Sequence, residues 1–175
     1  MPAIFRVVAV TLLAALLLAT SDSSIHAQGV KPATTNAQST QDIDRDVWSV
    51  FAATVAADDI VRMGEAYFPN AVVVMPNATS PIKETLDRWG KDMVAAKAKG
   101  NRATVEFRFS RRQDDAVTAF EAGIFKYTVI EKSGTRTSKF YPFEALLGKA
   151  DGKWRVLMER QFAEVTQAEW DKLAK

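Results

Sequence analysis

Between Asp58 and Pro76 the chain reads DDIVRMGEAYFPNAVVVMP, a short helical signal running straight into a β-branched stretch. Far downstream, ADGKWRVLMERQF from Ala150 to Phe162 opens on an Asp-Gly turn and continues as a long final strand. A helix-to-strand corner early and a hairpin late restrict the chain to a domain that mixes both element types around one core. Upstream of the corner, Val47, Trp48, Phe51 and Val55 recur at helical spacing, after a start near Ser39 or Thr40 with Asp42 in the first turn. Asp58 and Asp59 suit the cap of a second short helix carrying Ile60, Met63, Tyr67 and Phe68, which Pro69-Asn70 ends. Ala71 to Met75 is an unbroken apolar run, expected as a strand covered on both faces.

Ser80-Pro81 opens a third helix whose Ile82, Leu86, Trp89 and Met93 share one stripe, and Gly100-Asn101 stops it. Strands follow. Val105, Phe107 and Phe109 alternate with Glu106 and Arg108, Gly123 is a candidate bulge in the next strand, and Ser133-Gly134 and Asp151-Gly152 mark turns. Three helices followed by four sequential antiparallel strands predict an α+β fold. It is expected as a cone-shaped, curved antiparallel sheet wrapped around three N-terminal helices, with a cavity between helix and sheet. The open sheet face would need a partner, which favours a homodimer.

The first residues bear on compartment. Arg6 precedes an apolar run from Val7 to Ala19, and Ile25-His26-Ala27 offers a small residue at a cleavage point. About a dozen apolar residues fall short of the roughly twenty that a membrane span needs. The expected organisation is therefore a signal peptide over 1–27, a polar flexible linker over 28–40, the folded domain over 41–165 and a tail helix over 166–175. In the tail, Thr166 and Glu169 form the cap and Trp170 and Leu173 the apolar side. Cleavage after Ala27 would leave a periplasmic or secreted protein, with no membrane contact once the leader is gone.

With Cys absent and the sole His, His26, in the leader, thiolate nucleophiles, histidine bases and the usual zinc ligand sets are excluded from the mature chain. Any catalysis would run on carboxylates, Tyr, Lys, Arg or water. Asp42, Asp44 and Asp46 space their carboxylates around a first helical turn and make no calcium loop, so no metal is expected. No cofactor is expected either, because no phosphate-binding glycine loop occurs. The 23 Lys and Arg against 21 Asp and Glu leave a formal net charge of +2. The sole concentrated basic stretch, Arg108 to Arg112, is followed at once by Asp114-Asp115. That is no nucleic-acid footprint, which needs a broader basic face.

The order of these pieces resembles the nuclear transport factor 2-like superfamily, in its small bacterial SnoaL-like and ketosteroid-isomerase-like branch, which shares the cystatin-like architecture. The matching segments are Trp48 to Val55, Ala57-Asp58-Asp59, Tyr67 to Ala71, Val72 to Pro76, Ile82 to Trp89 and Asp151 to Arg155. The resemblance implies a curved sheet, a conical pocket and frequent dimers, in a superfamily that holds enzymes beside proteins that only bind ligands. Its ketosteroid isomerases would place a general-base Asp where this chain has Met75, an oxyanion-hole Tyr at Phe51 and a second acidic donor at Glu144. Methionine takes no proton and phenylalanine donates none, so steroid-type isomerisation is not expected.

Glu144 is the carboxylate that stands out, set among Phe140, Pro142 and Leu146. In an apolar setting it would titrate high and act as acid or base. Equally, it would pair with Arg160 or Arg108, since buried charges are paired. Arg160 falls in phase with Trp154, Val156, Met158 and Phe162, either as a ligand clamp or as the partner of Glu144. Trp48, Phe51, Tyr67, Met75, Trp89 and Tyr127 are the remaining candidates for the lining of an apolar pocket, or equally for a filled core.

The leading expectation is an exported protein binding a small, mainly apolar molecule in its pocket. The alternatives are a lyase, isomerase or cyclase using Glu144 with Arg160 or Tyr127, and a structural or partner-binding dimer module. When the full chain is exported from a bacterial host, the mature protein should begin at Gln28, which intact-mass measurement checks.

Overall fold

A computed structural model describes residues 36–173. The expected signal peptide and residues 28–35 of the expected linker lie outside them. The first helix begins at Ala37, inside the stretch expected as linker, because Asn36 caps it. The Asn36 side chain accepts from the Gln38 N–H at 3.0 Å, and its own N–H donates to the Asp114 carboxylate at 3.2 Å. Helix α1 (Ala37–Ile43) continues through a π turn (Asp44–Trp48) into α2 (Ser49–Ala57) without a break. The wider turn shifts the helical phase. Neighbouring Val47 and Trp48 are therefore both buried, in line with Ile43, Phe51 and Val55.

Asp58 closes α2 in the left-handed conformation, with φ 55°, and the Asp59 side chain caps α3 (Ile60–Gly64) by accepting from the Arg62 N–H at 3.0 Å. Tyr67 and Phe68, expected at the end of this helix, belong instead to strand β1 (Tyr67–Met75). The last strand captures them: Tyr67 pairs with Val156, whose N–H donates to the Ala66 carbonyl at 2.9 Å. Pro69 falls in the irregular stretch of the ladder between Tyr67 and Val72, where its missing donor costs nothing. Strand β1 is buried at Ala71 and Val73 and half-buried at Val72 and Val74, so its cover is one-sided rather than the expected two-sided. A short edge strand β2 (Ala78–Pro81) pairs back on it before α4 (Ile82–Ala98) starts.

The remaining elements are β3 (Arg102–Asp114), β4 (Thr118–Ile130), β5 (Arg136–Ala150), β6 (Lys153–Gln161) and α5 (Gln167–Asp171). The turn between β5 and β6 has Asp151 at φ 54° and Gly152 at φ 75°, the backbone that an Asp-Gly hairpin requires. The architecture is α+β, with one curved, open six-stranded sheet in the order β2-β1-β6-β5-β4-β3. All neighbours are antiparallel except β1 and β6, which run parallel. The last strand therefore lies inside the sheet, between β1 and β5.

Besides the irregular stretch between Tyr67 and Val72, two further register shifts shape the sheet. One lies in β3 between Phe109 and Arg111, across from Gly123, where a Cβ would collide with the Arg108 carbonyl. Gly123 is thus the partner that makes room and Ser110 the extra residue. The second lies in β6, where Val156 faces Leu147 and Met158 faces Leu146, leaving Leu157 as the extra residue.

The helices at the start of the chain bury Ile43, Val47 and Trp48 against Phe143, Leu147 and Val156 of the sheet. A buried polar cluster joins the layers. Glu121, 1% exposed, accepts from the Trp48 indole N–H at 2.5 Å and from Arg112 Nε at 2.7 Å. Arg112 also reaches Asp44 at 2.6 Å, and the carboxylate of Asp46 accepts from the Trp154 backbone N–H at 3.1 Å. Burial pushes the Glu121 carboxyl up, against the downward pull of Arg112.

On the opposite face, α5 lays Trp170 over Ile124 and Phe140, held by the Thr166/Glu169 capping box. Arg108 stacks on Trp170 at 4.3 Å and donates to its carbonyl at 3.0 Å. Part of the face expected to need a partner is thereby covered from within the chain.

Glu121→Ala should destabilise the fold by about 3 kcal/mol, because it leaves the buried Trp48 N–H without its acceptor and removes one of the carboxylates that hold half-buried Arg112. Gly123→Ala should cost roughly 1–3 kcal/mol through the forced backbone shift. Urea unfolding of each variant against the native protein checks both.

Candidate functional site

Between the helices and the sheet lies a cavity of about 620 Å³, inside the range of roughly 300–1,000 Å³ usual for small-molecule sites. Alternation along the strands builds its walls. Val105 and Phe107 of β3 face Tyr127 and Phe125 of β4, and Phe125 in turn faces Tyr141 of β5. The rings of Phe107, Phe125 and Tyr141 run across the three strands with centroid spacings of 6.3 and 5.3 Å. Helices close the other side, with Phe51 and Val55 from α2, Met63 from α3, and Trp89 and Met93 from α4. Met75 and Pro76 complete the lining at the end of β1, and Phe162 and Ala163 follow on from β6.

Of the residues singled out from the sequence, Phe51, Tyr67, Met75, Trp89 and Tyr127 meet around this cavity. Trp48 does not. It is 5% exposed and packs one layer behind, against Phe107, Phe109 and Phe143, with its N–H spent on Glu121. Glu144 and Arg160 also lie elsewhere. They face each other across β5 and β6 at 3.9 Å, with side chains 36% and 52% exposed, on the sheet face away from the cavity. Glu144 therefore has no apolar enclosure, and Arg160 is no clamp on the cavity.

The cause is the extra residue in β6. Counting by twos from Trp154 and Val156 points Arg160 inward, but Leu157 inserts one residue and reverses the phase beyond it. Glu159 consequently turns into the cavity, 7% exposed, and Arg160 turns out. Glu159 is the functional candidate that strict alternation hides. The available signal was Val156-Leu157-Met158, three consecutive apolar residues that break a period of two.

Glu159 sits between two neutral donors. The Tyr67 hydroxyl donates to Oε2 at 2.5 Å and the Gln161 amide to Oε1 at 2.6 Å. Burial raises the Glu159 carboxyl above its ordinary range, while these two bonds pull it down. Burial first, then the Glu159 charge and hydrogen bond, push Tyr67 well above its ordinary value. Tyr127 is raised as well, by burial and then by the charges of Asp58 and Asp92. Chemically, the arrangement offers an apolar chamber with one deep polar end that can accept a hydrogen bond, hold a charge, or move a proton at Oε1 or Oε2.

No family model matches the sequence, and no curated protein does so either. Solved structures do match. A nuclear transport factor 2-like protein of unknown function from Shewanella oneidensis MR-1 superposes with a TM-score of 0.58 at 16% identity, covering 71% of this chain and 99% of that one. A ketosteroid isomerase-like protein from Erwinia carotovora atroseptica gives a TM-score of 0.55 at 16% identity, over 75% and 99% of the two chains. The protein Aln2 from a Streptomyces species gives 0.63 at 11% identity, over 73% and 91%. Likeness at these identities speaks to the fold alone. No helix among the described residues is long and apolar enough to cross a membrane.

The raised Glu159 carboxyl carries a pH signature. Folding favours its protonated form, so its contribution to stability is fully present below the ordinary glutamate value of 4.5 and is lost as pH rises through the higher folded value. Relative to Glu159→Gln, the native protein should therefore lose stability progressively as pH rises from the ordinary value towards the higher folded one. Urea midpoints of the two proteins across an acid-to-neutral pH series check this.

Proposed function

We propose that this chain, which has the nuclear transport factor 2-like fold, binds a small, mainly apolar molecule in the cavity between its helices and its sheet. The observation that carries this reading is the cavity itself. Some 620 Å³ lined by aromatic, methionine and valine side chains around a single buried Tyr67–Glu159–Gln161 cluster matches what small-molecule sites offer: apolar area for affinity and a few placed polar groups for orientation. Export belongs to the same proposal and is supported by the leader-like residues 1–27. So does a homodimer, supported by Leu146, 40% exposed on the outer sheet face beside the Glu144–Arg160 pair.

A second reading has its own observation. A buried carboxyl with a raised pKa, hydrogen-bonded to a tyrosine in a cavity, is the equipment of a general acid or base. The catalytic role first expected of Glu144 passes in this reading to Glu159, because Glu144 lies outside the cavity.

N-phenyl-1-naphthylamine, a neutral probe added to the mature protein, should give a saturable rise in its own emission. Met93→Trp, which adds bulk to the lining, should weaken that binding by about tenfold, roughly 1.4 kcal/mol. Emission that never saturates, or a Met93→Trp affinity equal to the native one, would remove the cavity from consideration. If the protein turns a substrate over, Glu159→Gln should lower kcat by at least about a hundredfold, whereas the Glu144→Gln rate should match the native rate.

A further inference from the structure

The charged residues lining the cavity are all acidic. They are Glu159 at its deep end and Asp92, exposed on α4, at its rim; no lysine or arginine among the described residues lines it. Buried carboxylates are ordinarily held by an opposite charge, as Glu121 is held by Arg112 elsewhere in this protein. Among the described residues, Glu159 is held by hydrogen bonds alone, from a phenol and a primary amide, neither of which carries charge. A carboxylate has more acceptor positions than these two bonds occupy, so room remains on it for a third donor from the cavity side.

The surroundings favour the same sign of ligand. Phe51, Trp89, Phe107, Phe125, Tyr127 and Tyr141 supply aromatic rings to the wall, and aromatic faces attract cations electrostatically. Near the rim, the charges of Asp92 and Asp58 both act on the Tyr127 hydroxyl. Lys97, 3.7 Å from Asp58, offsets part of that field from the exposed side of α4. Arg88 touches the Met75 sulfur at 3.7 Å, also from the exposed surface of α4.

We propose that the cavity selects an organic cation, a compact molecule with an apolar or aromatic body and a protonated amine or quaternary ammonium group seated against Glu159. The inference rests on the reading that the cavity binds a small molecule, and it specifies the charge of that molecule. A cation supplies the counter-charge that Glu159 lacks. A neutral molecule leaves that charge uncompensated, and an anion adds a repulsion at both ends of the cavity. If Glu159 instead stays protonated in the complex, the site becomes a neutral hydrogen-bonding end and the preference for a cation disappears.

Three probes with one ring system and three head charges separate these outcomes: naphthalen-1-ylmethylammonium, naphthalen-1-ylmethanol and 1-naphthoate, each titrated calorimetrically into the mature protein near neutral pH. The ammonium should bind at least about tenfold more tightly than the alcohol, and the naphthoate more weakly than both. Glu159→Gln preserves an acceptor for Tyr67 and should abolish most of the ammonium's advantage over the alcohol. Alcohol binding equal to or tighter than ammonium binding would overturn the inference while leaving a small-molecule site in place. Binding of none of the three would overturn the cavity reading itself. The charge series on the native protein decides the matter even if the Glu159→Gln variant fails to fold.

Discussion

Between Val156 and Met158 the last strand carries one residue more than its neighbour, and every side chain beyond that point changes faces. The chemistry of the cavity depends on this. With the bulge, a glutamate enters an apolar chamber and an arginine goes to the outer surface, where it meets Glu144. Without it, the guanidinium would enter and the chamber would present the opposite charge. A β-bulge is often described as a local kink; here it sets the polarity of a cavity.

The cavity stays open because its surroundings are fixed by other means. The Trp48–Glu121–Arg112–Asp44 cluster ties the first helix to β3 and β4, and the Asp46 contact ties it to the start of β6. These bonds lie beside the chamber rather than in it. The rings of Phe107, Phe109 and Phe143 pack against Trp48 and separate the structural carboxylate from the cavity carboxylate. Two buried glutamates, 1% and 7% exposed, thus serve different ends. One has an arginine to answer it, and the other is turned toward the chamber.

Features governed by neighbours in sequence were legible from the residues alone. The Asp151-Gly152 turn, the Gly100 stop after α4 and the Thr166/Glu169 cap each depend on a few adjacent residues, and each appears where it was read. Features governed by distant partners were not. Tyr67 and Phe68 look like the end of a helix until β6 pairs with them, and Ala78–Pro81 becomes a strand only because β1 lies alongside. Trp48 has the right helical spacing for a pocket residue. The π turn and the position of Glu121 assign it to the layer behind. The α+β class survives all these displacements, because it needs only the number and order of elements.

The parallel pairing of β1 with β6 has a kinetic side. Tyr67 and Glu159 stand 92 positions apart, and the hydrogen bond between them closes the sheet, from the start of β1 to near the end of β6, into one loop. Contacts of such separation form late, after the local hairpins β3–β4 and β4–β5 have had every opportunity to zip. Up to that moment Tyr67 has no carboxylate beside it and the chamber has no floor. The chamber and its polar end therefore arrive together, in the final docking step.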